Sequence, residues 1–171
     1  MTSFSAIDEN SSLTDVLKAF PANSELLLLL AQGVMAREGE LSRGEREAIA
    51  AFVSRLNDVP YCVFYHTMFS EVYSGPIKAT DEKLAPLMTY ARFLCQGTQE
   101  QLDAAFLAAC ESGWSEAAVY EVVEVCGLFN YINGIVRAAN LKQPQCRPDP
   151  LPGPDDLRES YQLMANGLKQ D

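Results

Sequence analysis

Residues 41–66 read LSRGEREAIAAFVSRLNDVPYCVFYH. Ile49, Phe52, Val53 and Leu56 recur at i, i+3, i+4 and i+7, which predicts an amphipathic helix over about residues 43–56. Asn57 and Asp58 interrupt it. Pro60 then suits the first turn of a second helix, because the N–H groups of that turn lack intrahelical acceptors anyway. This second helix should run to about Tyr73, where Ser-Gly-Pro ends it.

The same helical periodicity extends both ways. Upstream, Ser24 is placed to cap a helix through LLLLLAQGVMARE, buried on most sides. Downstream, Thr80 opens a helix through LMTYARFLC. Pro86 inside it implies either a loose first turn or a start near Pro86 itself. TQEQLDAAFLAACESG begins with a capping box from Thr98 to Gln101 and closes at Gly113. Ser115 caps the longest helix, SEAAVYEVVEVCGLFNYINGIVRAAN, with Trp114 and Val119 placed for a hydrophobic staple. Val119, Val122, Val123, Cys126 and Phe129 form its expected buried seam. No stretch alternates with period two, so the fold class is all-α.

Residues 1–142 therefore read as one helical domain, and 143–171 as a Pro-rich arm with a short tail. The arm at 144–154 holds Pro144, Pro148, Pro150, Pro152 and Pro154, which favour extended backbone. The tail DDLRESYQLMANGLK places Leu157, Tyr161, Met164 and Leu168 on one helical face, for docking on a neighbouring subunit or on its own core. The apolar helices together with this tail predict a homo-oligomer.

Composition narrows the function. Hydrophobic residues make up 48% and charged residues 21%, an ordinary globular balance, and the net charge is −10 without a dense Lys/Arg cluster. Nucleic acid and anionic membrane are poor partners for such a surface. The apolar run Leu26 to Leu30 falls far short of the ~20 residues a membrane span needs. MTSFSAIDEN has no basic region before an apolar core, so a soluble, cytoplasmic protein is expected. The five cysteines, at 62, 95, 110, 126 and 146, form no paired spacing. Cys95, Cys110 and Cys126 sit in apolar helical contexts and read as small buried hydrophobes.

Cys62 and His66 carry the chemistry. With a helix starting near Val59, Cys62 falls in the first turn, where free N–H groups and the helix dipole favour a thiolate and a depressed pKa. His66, the chain's single histidine, lies at i+4 on the same face and could exchange a proton with the thiol or a leaving oxygen. Val63, Phe64 and Phe69 would keep the site partly dry. A third group must orient the imidazole, and Glu40, Glu45 and Glu47 are candidates. Glu47 falls opposite the apolar stripe, beside Ala50, Ala51 and Ser54, whose small side chains would let another helix approach. A Cys–His pair at i+4 also arises by chance, and a lone histidine is often a hydrogen-bonded core residue. No metal or cofactor is expected, since zinc usually takes four ligands and there is no second histidine.

Residues 41–66 resemble the core motif of the AhpD-like alkylhydroperoxidase and carboxymuconolactone decarboxylase superfamily. That motif pairs an Arg-Glu helix with Asn-x-Cys-x-x-Cys-x-x-x-His, matched here by Arg46-Glu47, the SRLN turn, Tyr61-Cys62 and His66. LMTYARFL and LFNYINGIVRAANL are similar to later helices of its peroxidase-related subgroup, so the resemblance covers about residues 20–142. It implies an AhpD-like multi-helix bundle, a homo-oligomer, and a small hydroperoxide as substrate. By this resemblance Cys62 takes the attacking cysteine's place, with His66 and Glu47 as the proton relay. The resolving cysteine's place is held by Val59, so an external thiol would have to reduce a Cys62 sulfenic acid. Two other readings stay open: a Cys-independent lyase on a cyclic lactone acid, and a non-catalytic oligomeric scaffold.

Overall fold

The computed structural model describes residues 4–75 and 77–168, with the backbone alone at 77–81. Helices α1 (Leu13–Ala19), α2 (Ser24–Ala36), α3 (Arg43–Leu56), α4 (Pro60–Ser74) and α5 (Ile77–Gln96) follow one another. Then come α6 (Gln99–Glu111), α7 (Glu116–Ala139), α8 (Pro154–Arg158) and α9 (Ser160–Gly167), and there is no strand among the described residues. The all-α reading agrees with this.

Local chemistry sets most of the boundaries. At the start of α3, Ser42 Oγ accepts from Glu45 N at 3.3 Å and Glu45 Oε2 accepts from Ser42 N at 2.7 Å, a reciprocal cap. Val59 holds the N-cap position of α4 with Pro60 first in the helix, and Gly75 closes it at φ +75°. Thr98 and Gln101 form the box at the start of α6, and Ser115 Oγ accepts from Ala118 N at 3.0 Å at the start of α7. Asn140, in the left-handed region, ends α7.

Helix α3 is the centre of the molecule, packed against α4, α5 and α7. The predicted stripe is present, but burial runs unbroken from Gly44 to Ala51. Charged residues of that segment are therefore enclosed as well. Arg46 Nη2 and Nε reach Glu121 Oε2 on α7 at 2.7 and 3.2 Å, and Nη1 donates to the Arg37 carbonyl at 2.6 Å. Burial alone would push Glu121 up. The Arg46 guanidinium and the Glu40 and Leu41 N–H groups outweigh it and hold the carboxyl below its ordinary range. Gly44 lets α4 close on α3: a Cβ there would lie 1.8 Å from Ser74 Oγ, while Ser70 Oγ donates to the Gly44 carbonyl at 3.0 Å. By length and composition α7 could cross a membrane, yet 56% of its apolar window is buried within the fold, where it serves as a core helix.

Several expectations are corrected. Helix α1 and the 3-10 turn Pro21–Asn23 are additional to the predicted elements, although Ser12 and Asp15 form a capping box that the sequence displays. Ser24 caps nothing: it is the first residue of α2, and its Oγ donates to the Phe20 carbonyl at 2.8 Å. Helix α2 is not buried on most sides. Leu27, Leu28, Ala31 and Met35 face the core, whereas Leu26 is 68% and Leu30 56% exposed, because α2 has packed neighbours on one side only. Helix α5 begins at Ile77, so Thr80 lies within it, and Pro86 is accommodated in the interior. The cost of its missing N–H is offset by the complete burial of Leu84, Leu87 and Ala91 around it. Pro76 lies outside the described residues.

The arm is free of helix until Pro154 and carries the chain back to its own core. Arg43 Nη1 donates to the Arg158 carbonyl and Nη2 to the Leu157 carbonyl, both at 2.5 Å. Gln32 Nε2 donates to the Arg158 carbonyl at 3.0 Å, and Tyr73 OH to the Pro154 carbonyl at 3.1 Å. Leu157 and Tyr161 are buried, while Met164 and Leu168 are half-buried, so the tail packs on α2 and α4 within one chain.

Candidate functional site

Close approach of α3 and α4 brings Glu47 and His66 together. Glu47 Oε2 and His66 Nδ1 are 2.6 Å apart, with Glu47 1% and His66 7% exposed. Glu47 Oε1 lies 3.9 Å from Arg43 Nε, one turn earlier on α3. Glu45 is turned away, capping α3 and meeting Lys83 Nζ at 2.5 Å, and Glu40 contributes a backbone N–H to Glu121. Of the three carboxylates considered, Glu47 is the one that reaches the imidazole. With Nδ1–H donating to that carboxylate, Nε2 is left as the basic nitrogen, and no hydrogen bond reaches it among the described residues. Phe129 packs edge-on against the ring at 4.3 Å and Phe69 at 5.9 Å, which keeps its orientation.

Cys62, 2% exposed, lines the same cavity of about 240 Å3 as His66. The other walls come from Ser12–Thr14, Tyr61, Tyr65 and Phe69, from Phe129 and Ile132 of α7, and from Tyr161 and Met164 of the tail. A second depression of about 550 Å3, between α1 and α7, is lined by Phe4, Phe20 and Tyr131 among others, and no thiol, imidazole or carboxylate faces it. Cys62 and His66 both line the smaller cavity.

The thiol departs from expectation. Burial pushes the Cys62 thiol up to about 12 instead of lowering it. The first-turn dipole is a partial charge near the helix start, and desolvation of a thiolate walled by aromatic side chains outweighs it. Cys95 moves the other way. A hydrogen bond from Cys126 and another from Asn130 Nδ2, 3.6 Å from its Sγ, pull it below the ordinary thiol range, while Cys126 is raised. Cys95 and Cys110 are half-buried, so only Cys126 fits the reading of a buried hydrophobe. All five cysteines are free thiols. Val59, 4% exposed, stands one turn before Cys62 at the helix entrance.

Three contributions escaped the sequence. The Ser12–Thr14 segment has one local signal, its capping box with Asp15, which marks a helix start but not a cavity wall. Tyr161 has as its sequence signal only its position on the apolar face of the tail. Glu121 gave its one signal as a carboxylate set in the apolar run of α7.

No family model and no curated protein matches this sequence. Among solved structures, the chain is similar to one from Ralstonia eutropha JMP134 described as the alkylhydroperoxidase AhpD core of an uncharacterized peroxidase-related protein. The two share 18% identity over 78% of this chain and 77% of that one, with a TM-score of 0.69. At that identity the likeness speaks for architecture, and it does so over most of both chains: this protein has the AhpD-like all-α fold.

Proposed function

We propose that the protein reduces organic hydroperoxides at the expense of an external thiol, with Cys62 as the attacking group and Glu47–His66 as the proton relay. The observation that carries this reading is the 2.6 Å contact between Glu47 and His66 in a buried site whose cavity also presents the Cys62 thiol. Because burial keeps that thiol protonated at rest, its proton must leave as the substrate arrives. Nε2 of His66 takes it, and the imidazolium formed is stabilised by the Glu47 carboxylate. Sγ then bonds to the terminal peroxide oxygen, the O–O bond breaks, and the leaving alkoxide receives the proton from His66. The products are an alcohol and a Cys62 sulfenic acid. One external thiol converts that acid to a mixed disulfide with loss of water, and a second releases Cys62 and leaves as the external disulfide.

Free cysteines throughout support a reducing, cytoplasmic setting, and the exposed Leu26, Leu30 and Tyr131 support assembly of identical chains. The test is peroxide consumption with a panel of thiol donors, wild type beside Cys62→Ser. Consumption that needs Cys62 supports the reading, and consumption indifferent to it removes Cys62 from the mechanism.

A second reading has one observation in its favour: the His66–Glu47 pair is complete without a thiolate. As a general acid–base pair it could serve a lyase acting on a cyclic lactone acid. Lactone turnover surviving Cys62→Ser would select that reading.

A further inference from the structure

We propose that Tyr161 of the C-terminal tail is a ligand-binding residue of the Cys62–His66 cavity, donating its hydroxyl hydrogen to an acceptor oxygen on a small, otherwise apolar substrate. The ligand's identity as a hydroperoxide rests on the function proposed above; the donor role rests on the cavity.

Tyr161 lines the cavity from α9 and is 9% exposed, and its hydroxyl is enclosed with no hydrogen-bond partner among the described residues. The other phenols nearby are satisfied. Tyr61 OH accepts from Leu13 N at 3.2 Å and shares a hydrogen bond with Tyr65, and Tyr73 OH donates to Pro154. A buried hydroxyl left unpaired loses its hydration and regains nothing, so phenylalanine would fill this place at lower cost if packing were its only task. The hydroxyl is also near the working groups, since Glu47, Cys62 and Arg43 all act on it electrostatically. Burial raises its pKa well above the ordinary 10.0, so the phenol stays protonated and its O–H remains available to donate at any working pH.

Placement of this hydroxyl depends on the docked tail. The Arg43 guanidinium holds the carbonyls of Leu157 and Arg158 and stands beside Glu47, so one side chain secures both the tail and the surroundings of the relay. The cavity's volume of about 240 Å3 is below the ~300–1,000 Å3 typical of drug-sized ligands, and its walls are mostly aromatic and aliphatic. A compact hydrocarbon group ending in oxygen suits it. With the hydroperoxide oxygens held between Tyr161 and His66, the donor would favour the charge that develops on the leaving oxygen.

The test compares wild type with Tyr161→Phe, using calorimetric binding of cumyl alcohol and of cumene, which lacks the oxygen, together with turnover of cumene hydroperoxide. The hydroxyl makes no bond within the fold, so the variant should melt at the same temperature or slightly higher. Affinity for cumyl alcohol should fall about fivefold to tenfold while affinity for cumene stays unchanged, and turnover should fall by at least as much. Equal losses for both ligands, no loss for either, or a variant that fails to fold would each overturn the proposal. The two readings separate cleanly. A Tyr161-dependent preference for the alcohol in a protein that consumes no peroxide keeps the donor and ends the peroxidase reading. Peroxide consumption indifferent to Tyr161→Phe, with alcohol affinity unchanged, does the reverse.

Discussion

Alkylation of the native protein by iodoacetamide at neutral pH tests whether the Cys62 thiol is held protonated by its surroundings. An ordinary thiol titrates near 9.0, and burial takes Cys62 to about 12. At pH 7 the thiolate fraction falls from about one in a hundred to about one in a hundred thousand, a thousand-fold difference in the species that reacts. Peptide mapping by mass spectrometry over time should therefore show exposed Cys146 and half-buried Cys95 labelled early and Cys62 about three orders of magnitude later. Oxidation of Cys62 by cumene hydroperoxide should be far faster than its thiolate fraction allows, because the relay removes the proton when the peroxide is in place. His66→Gln should abolish that advantage while leaving the iodoacetamide rate nearly unchanged. If Cys62 is labelled as quickly as Cys146, the dipole at the start of α4 has outweighed desolvation, and the thiol is activated at rest.

Glu47→Gln and His66→Gln should each cut turnover sharply, and the double variant should lose little more than either, since groups acting as a unit are non-additive; full additivity would take Glu47 out of the relay. Val59→Cys should cost about 1 kcal/mol at its buried position and, after one equivalent of peroxide, give an intramolecular disulfide with Cys62 detectable as a loss of two hydrogens. Persistence of two thiols while Cys62 over-oxidises would show that the two positions do not face each other. Glu121→Gln leaves the buried Arg46 charge uncompensated and should lower unfolding free energy by roughly 3–5 kcal/mol in urea titration. Because the folded pKa of Glu121 is depressed, its contribution is present above the ordinary 4.5 and is lost as pH falls through the folded value, so the variant should lack that part of the acid transition. Light scattering at micromolar concentration should report a dimer or larger, with Leu26 and Leu30 in the contact; a clean 18.8 kDa particle would oppose assembly.

The helices from α3 to α7 were legible because their ends are written in short-range chemistry. Ser42 with Glu45, Pro60, Thr98 with Gln101, Ser115 and Gly113 each act within a few residues. The Glu47–His66 pairing was partly legible, since the small side chains of Ala50, Ala51 and Ser54 beside Glu47 allow a close helix neighbour, while the close approach of α4 at Gly44 appears only in the structure. Ser24 misled because a hydroxyl before an apolar run looks like a cap, whereas the turn at Pro21 starts the helix a residue earlier. Leu26 and Leu30 misled because hydrophobicity states what a side chain prefers and not whether a neighbour is there to cover it.

Sequence alone determined the all-α class, the order of the main helices and the placing of Cys62 and His66 on one helical face, all of which follow from periodicity, caps and i+4 spacing, while Glu47 stood as one of three carboxylates until α3 closed on α4. Tertiary structure alone decided the state of the thiol and the membership of the cavity. Whether Cys62 is lowered by its helix or raised by burial depends on how much water the surrounding walls exclude, and those walls arrive from α1, α7 and the tail. Tyr161 enters the site across about a hundred residues of intervening chain, and no local pattern encodes a meeting made only when the tail folds back onto Gln32 and Arg43.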